Sequence, residues 1–399
     1  MMYKTSFHVL VLLLTYVGGS YCSSTIKTWI LNNNFDNPNN WNTKRNPCNK
    51  DRVIFPAQEN VVVYIPGSLK VRTMVLPMNG QFVLGNSAVF SLSEGSISAT
   101  DPSCEGQDIQ FKGLRGNWFD PPNWNVSSSS AMNIVGGSYP SPIPHSEQVP
   151  CPRDNVVFPV GKSFKVSVKT QTGGIKVNSI IINGMVYNDN NSFSTFIRSP
   201  TGKRLFDSDN SLITVEKNDC SDSTSCACGN DRRDILLVIC AFRTPQCPTP
   251  QCSDPIQPIG HCCKICGSSL LMTYGHQFQF NPVKQLFTGH LTKPQYLEVQ
   301  GYISKTHDNK IQMIFVDGKS SYGKAAQLAQ EFESSFQKEM FGVTSVVMKR
   351  SVQWNSGIFP SAHKSGISTF ELHNKSSIIF IKSRNILIIA VMFDFFFLN

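Results

Sequence analysis

Two stretches of this chain carry the same residues in the same order. The first runs Phe35-Asp36-Asn37-Pro38-Asn39-Asn40-Trp41-Asn42 and resumes as Pro47-Cys48-Asn49-Lys50-Asp51-Arg52-Val53-Ile54-Phe55-Pro56. The second runs Phe119-Asp120-Pro121-Pro122-Asn123-Trp124-Asn125 and resumes as Pro150-Cys151-Pro152-Arg153-Asp154-Asn155-Val156-Val157-Phe158-Pro159. The Pro-Cys halves lie 103 residues apart and the Trp halves 83 apart, so the second copy holds a longer insert. A pattern this long reads as an internal duplication. Each copy is a polar turn, a Trp, a Cys and then the start of a strand. Trp41, Asp51 and Phe55 of one copy thus answer to Trp124, Asp154 and Phe158 of the other. Both Trp residues read as core that packs the turn onto a sheet, with a ligand contact as the alternative.

Charged residues make up 16% of the chain, against about 25% in typical globular chains. Asn, Ser, Pro and Gly fill the gap, which predicts many turns and little helix. The net charge is +9, but Lys203-Arg204, Arg232-Arg233 and Lys349-Arg350 are isolated pairs. A nucleic-acid surface needs a basic stripe with interleaved aromatics, which this sequence lacks.

Residues 1–22 read as a secretory signal peptide: Lys4, an apolar run from Val9 to Leu14, and Ser20-Tyr21-Cys22 for cleavage. A membrane anchor is the alternative, but the run is too short to span a bilayer. Removing Cys22 leaves twelve cysteines, an even number that predicts disulfides made in an oxidising compartment. Asn125, Asn190 and Asn374 begin Asn-x-Ser acceptor patterns for glycosylation.

The fold expected is mainly β. Residues 24–106 form the first repeat and 107–219 the second, as a curved sheet, sandwich or solenoid of short strands. Val61–Ile65, Leu69 to Val75, Gln81–Leu84 and Ala88–Phe90 are strand candidates in the first. Phe164 to Val168, Ile175 to Val186, Phe193 to Ile197 and Leu212 to Val215 continue the second. The segment Ser127 to Pro150 reads as a surface loop.

Residues 220–267 hold nine cysteines, too dense for a core of their own. They are Cys220, Cys226, Cys228, Cys240, Cys247, Cys252, Cys262, Cys263 and Cys266, spaced like a von Willebrand factor type C module. Nine is odd, so one must pair outside the segment. The remaining cysteines are Cys48, Cys104 and Cys151, and the simplest arithmetic gives Cys48–Cys104 and Cys151–Cys220. The other eight then pair within 226–266. Zinc held by the Cys226-x-Cys228 and Cys263-x-x-Cys266 spacings is the competing reading.

Residues 268–350 read as a small α+β domain of β-α-β-β-α order. Asn281 and Pro282 start a helix that Gly289 closes. Tyr322, Ala325, Ala329, Phe332, Phe336 and Met340 recur at helical spacing as a core stripe. No catalytic or phosphate-binding signature occurs anywhere, which points away from an enzyme and gives no reason to expect a cofactor, metal or small-molecule substrate.

The paired Asn-Trp and Pro-Cys-x-x-Asp-x-Val-x-Phe-Pro stretches resemble the amnionless family, membrane partners of the endocytic receptor cubilin. The likeness covers roughly residues 28–354. It implies a single-pass co-receptor subunit that binds the N-terminal region of cubilin, brings it to the plasma membrane and supports protein uptake into endocytic vesicles. Strands with apolar residues on both faces, as at Val61–Ile65 and Ile180–Ile182, make the two repeats the expected docking region. A secreted growth-factor modulator using the type C-like module, or a matrix adhesion protein, is the alternative.

Residues 351–399 depart from the family. The 378–398 segment is a poor anchor, since Lys382, Arg384 and Asp394 interrupt it and the best apolar run is eight residues long. The family's adaptor signal, Phe-x-Asn-Pro-x-Phe, has no counterpart in the tail. Phe278-Gln279-Phe280-Asn281-Pro282 has the wrong spacing. A truncated or misjoined end, or a divergent isoform, is therefore the expectation, with a secreted form if the end is truncated.

Overall fold

The computed structural model describes residues 25–57, 60–92, 104–134, 141–169, 174–208, 213–318, 323–335 and 341–353, and the backbone of three strands beyond residue 367. The signal-peptide segment 1–22, Asn374, Phe336 and Met340 lie outside the described residues. Contacts divide the chain into one unit ending at Gln353 and another starting at Trp354.

Short strands separated by tight turns wind the N-terminal third into coils. Strand β1 (Ile26–Trp29) leads. Then come β2 (Arg52–Ile54), β3 (Val62–Ile65), β4 (Leu69–Val71), β5 (Thr73–Val75), β6 (Gln81–Leu84), β7 (Phe90–Leu92) and β8 (Asp108–Gln110). β5 lies parallel on β2, β6 on β3 and β7 on β4, so β2-β3-β4 is one coil and β5-β6-β7 the next. Parallel stacking places like positions over one another, and Val53, Val63, Ile65, Leu69 and Val71 bury themselves inside. The alternation at 69–75 predicts one strand. The chain instead turns a corner at Arg72, whose N–H donates to the Asp51 carbonyl at 2.9 Å.

The next stretch contains β9 (Gly116–Asn117), β10 (Trp124–Ser127), β11 (Ala131–Met132), α1 (His145–Gln148), β12 (Asn155–Phe158), β13 (Val166–Ser167), β14 (Ile175–Val177), β15 (Ser179–Ile182), β16 (Met185–Tyr187), α2 (Asn190–Arg198), α3 (Pro200–Leu205), β17 (Phe206–Asp207) and β18 (Ile213–Val215). Again the pairing is parallel: β15 on β12, β17 on β13 and β18 on β14. Asp189 caps α2 by accepting from the Ser192 N–H at 2.9 Å, and Ser199 caps α3 by accepting from Gly202 at 3.1 Å. Ser127 to Pro150 is not simply a surface loop. Ile143, His145, Ser146 and Val149 are buried, and β11 joins the sheet of the later domain. The apolar side chains in this Pro-rich segment outweigh its loop-like composition.

The two coiled units exchange their leading strands. β1 precedes the first unit in sequence, yet it lies between β10 and β12 of the second. β8 precedes the second unit's Trp, yet it pairs in parallel with β2 of the first.

Beyond residue 220 come α4 (Arg233–Arg243) and β19 (Cys252–Ser253). All twelve cysteines among the described residues are bonded, Cys48 to Cys104 among them. The Cys151–Cys220 pairing is overturned: Cys151 bonds Cys228, and Cys220 closes a short loop with Cys226. The reason is placement, because buried Asn230 donates to the carbonyls of Ser146, Val149 and Pro150 and holds Cys228 against the Cys151 turn. Cys240–Cys262, Cys247–Cys263 and Cys252–Cys266 then cross one another in the order first-to-fourth, second-to-fifth, third-to-sixth.

The α+β domain holds β20 (Ser268–Tyr274), α5 (Phe280–Leu291), β21 (Gln300–Lys305), β22 (Ile311–Val316), α6 (Lys324–Ser335) and β23 (Val343–Arg350), followed by β24 (Val352–Gln353). Its sheet runs β11-β21-β22-β20-β23. Helix α5 starts before Asn281 and passes through Gly289, because Phe280, Val283, Phe287 and Leu291 all face the core. Ala325, Ala329 and Phe332 of the stripe are buried. In the separate C-terminal unit, β25 (Ser368–Phe370), β26 (Ile378–Ser383) and β27 (Ile386–Val391) form an antiparallel meander. Among the described residues no helix is long and apolar enough to cross a membrane.

Candidate interaction surface

The shared residues make the same bonds in both units. The Trp41 indole N–H donates to the Phe35 carbonyl at 2.9 Å, and that of Trp124 to the Trp118 carbonyl at 2.7 Å. Both side chains are buried, as core residues should be. Each indole meets an aromatic from an exchanged segment, Phe111 just after β8 at 5.0 Å from Trp41 and Trp29 of β1 at 4.9 Å from Trp124. Phe55 and Phe158 complete the two clusters. Gly116 has no room for a side chain, because a Cβ there would meet the Trp29 ring at 2.5 Å.

The motif aspartates also match, but their surroundings differ. Asp51 accepts from the Cys48 N–H at 2.8 Å, as Asp154 does from Cys151 at 2.8 Å. Burial pushes the Asp51 carboxyl up, but hydrogen bonds from Arg45, Cys48 and Gln107 outweigh it and leave it below its ordinary value. Asp154 is raised by burial, which Lys27 only partly offsets from 3.6 Å away. Lys27 is itself buried and donates to the Glu147 carbonyl, so β1 delivers the cation to the second unit.

Glu147 stands in the wall of a cleft of about 890 Å³ lined by Thr25, Asp154, Asp222, Lys284 and Tyr302 among others. Burial pushes its carboxyl up to about 7, with Lys27 drawing it back. The Tyr302 hydroxyl donates to it at 3.4 Å, Lys305 pairs with Asp222 at 2.8 Å, and Lys284 donates to Ser129 at 2.8 Å. These links make the cleft a polar seam joining the second coiled unit, the cysteine-rich segment and the α+β domain. Carboxylates lie near two cystines, Asp51 by Cys48–Cys104 and Glu147 by Cys151–Cys228. Their sulfurs are committed to disulfides and offer no thiolate to a metal. Cys226, Cys263 and Cys266 are likewise bonded.

The two units differ most at their last coil. In the second, the connection from β15 to β17 spans residues 183–205 and carries α2 and α3. These helices pack over β16, β17 and β18, and α2 buries its Phe193 side chain fully in the core. In the first, β5 reaches β6 through residues 76–80 alone. Among the described residues β5, β6 and β7 pair on one side only. Apolar side chains of these strands and the turns between them stay exposed: Leu76 58%, Met78 81%, Leu84 55% and Leu92 58%, with Val89 and Phe90 beside them. Terminal coils of a stacked array need a polar outer face for solubility, which these exposed apolar side chains do not supply. The sequence does mark this end, since Val75-Leu76, Val83-Leu84 and Val89-Phe90 are adjacent apolar pairs that cannot both face inward. Asn125 on β10 and Asn190 at the start of α2 are both exposed, and both belong to the second unit.

A family model described as Amnionless matches residues 26–391. Protein amnionless of Homo sapiens is 29% identical over 342 residues, covering 82% of this chain and 72% of that protein. The Canis lupus familiaris protein is 28% identical over 339 residues, covering 82% and 70%. Protein amnionless of Drosophila melanogaster is 23% identical over 314 residues, covering 76% and 59%. With its mainly β fold, six disulfides and a family match over most of its length, this chain belongs to the Amnionless family.

Proposed function

We propose that this chain is the co-receptor subunit of a cubilin-like endocytic receptor. It binds that receptor's N-terminal region, brings it to the plasma membrane and supports protein uptake, acting by binding and not as an enzyme. The observation that carries this reading is the uncapped last coil of the first unit, with Leu76, Met78, Leu84 and Leu92 in solvent. An extended apolar end of this kind suits a partner that continues the parallel ladder of β5, β6 and β7.

The supporting architecture is proposed as follows. The two units arose by duplication, which the recurring Trp and Asp bonds support. The crossed disulfides of 240–266 belong to a type C-like module, and the α+β domain follows it as the membrane-proximal part. Six disulfides support a route through the secretory pathway.

The test is capture of the N-terminal region of a cubilin-like receptor by the full chain and by its Leu84→Asp/Phe90→Asp variant. Burying one such side chain contributes about 1.5–3 kcal/mol, so the variant should bind at least about tenfold more weakly. Unchanged affinity in a secreted, folded variant sinks the assignment of the site. Failure of the wild-type chain to capture the receptor sinks the function.

A further inference from the structure

We propose that Asn125 carries an N-linked oligosaccharide that covers the outward face of the second unit's five-stranded sheet and keeps that face from associating. The proposal rests on the secretory route given above.

The sheet order is β10-β1-β12-β15-β16. One face is core: Trp29, Trp124, Val156, Phe158, Ile180 and Ile182 are all buried. Side chains alternate along a strand, so the neighbouring residues form the other face. The pairing sets Asn125 opposite Thr28, Thr28 opposite Val157, Val157 opposite Ile181 and Ile181 opposite Val186. That row crosses the sheet over about 19 Å at the usual strand spacing. Ile26 lies in the adjacent row, 40% exposed, and Val186 is 59% exposed.

A one-sided sheet normally turns polar side chains to water. Here Ile26, Val186 and the half-buried Val157 and Ile181 form an apolar strip between the polar Thr28 and the row of Ser127, Asn155 and Ser179, and such a strip associates unless something covers it. The chain supplies the cover in the row itself. Asn125 ends the row at the β10 edge, exposed. Its acceptor partner Ser127 is two residues on, hence on the same face, and is also exposed. A second acceptor, Asn190, begins α2 three residues past β16, at the opposite edge of the same sheet. An oligosaccharide on Asn125 is bulky and solubilising, and it reaches the row without competing for the core. The uncapped coil of the first unit has no acceptor within residues 24–106 and stays open to its partner.

The test uses the full chain secreted from eukaryotic cells, with glycopeptide mass analysis at Asn125 and Asn190. Ser127→Ala leaves Asn125 in place and should lose one glycan's mass, shift the protein from monomer to larger species on sedimentation, and bind more apolar dye. Enzymatic removal of glycans from the folded wild-type protein should give the same shift, which separates the effect from misfolding. Asn190 occupied with Asn125 bare overturns this proposal and leaves the secretory route standing. Both sites bare, with free thiols, overturns the route as well. An occupied Asn125 whose removal leaves a monomer with unchanged dye binding overturns the covering role.

Discussion

The two coiled units share a scaffold and part at their ends. Both stack three strands on three in parallel, and both hold a Trp by the carbonyl six residues earlier. In the second unit residues 183–205 supply two helices that close the last coil, with Phe193 of α2 buried in the core. In the first, residues 76–80 hold no helix, and among the described residues β5, β6 and β7 pair on one side only. The lesson is that the length of one connection, not the shared motif, decides which unit has helices over its last coil and which leaves apolar side chains exposed there.

The comparison can be broken first at the exchanged strand. Trp29→Ala should cost about 3–5 kcal/mol, and hydrogen exchange should rise in β12 and β15 of the second unit. Exchange that rises in the first unit alone would refute the strand exchange. Phe193→Ala at the closed end should cost a similar 3–5 kcal/mol by thermal unfolding. A small loss there would mean the helices do not cap the coil.

The cystines sharpen the comparison next. The chain-entropy estimate gives about 4 kcal/mol for the loops closed by Cys48–Cys104 and Cys151–Cys228, and about 2 for Cys220–Cys226. Cys151→Ser should therefore be secreted poorly and expose the Cys228 thiol to alkylation, whereas Cys220→Ser should expose Cys226 and do less harm. Labelled Cys220 in the Cys151→Ser protein would restore the pairing that the duplication suggests.

Asp51 of the first unit and Glu147 of the seam predict opposite pH behaviour. Asp51 is lowered in the fold, so its stabilisation is present above its ordinary 3.8 and is lost as pH falls through the lowered value. Glu147 is raised from 4.5 to about 7, so its contribution is full below 4.5 and is lost as pH rises through 7. Wild-type protein should lose up to about 3 kcal/mol of seam stability between pH 5 and 8. Glu147→Gln should flatten that window, and an unaltered slope would show that another group titrates there. The smallest effect belongs to the open end: Phe90→Ala should change stability by less than about 0.5 kcal/mol. A larger loss would show that the coil is covered.

Much of this was legible in the sequence. Trp41 and Trp124 read as core, and they are buried, whereas Val61–Ile65 and Ile180–Ile182 read as a docking region and are instead core, with Val61, Val62, Val63, Ile65, Ile180 and Ile182 all buried. The exchange was not legible, because β1 and β8 span four and three residues and no local signal says which sheet receives them. Only the ring packing of Trp29 against Gly116 and Trp124 decides it. Cys151–Cys228 was missed for a related reason. Equivalent positions in a duplication suggest equivalent partners, but Asn230 and its three carbonyl contacts bring a different cysteine into reach. The open coil was partly visible as adjacent apolar pairs. The length of the capping insert became meaningful only once its helices were seen lying over β18.

The exchanged strand also sets a timetable for synthesis. Ile26 leaves the ribosome long before its partners Ser127 and Asn155. At roughly 5–20 residues per second, β1 waits on the order of ten seconds with Trp29 and Ile26 unpaired. The coil of β2, β3 and β4 can close meanwhile and gains β8 as soon as Gln110 is made, so the first unit can complete its sheet while β1 still waits for the second. The nascent chain therefore carries β1 without its sheet until β10 and β12 are made.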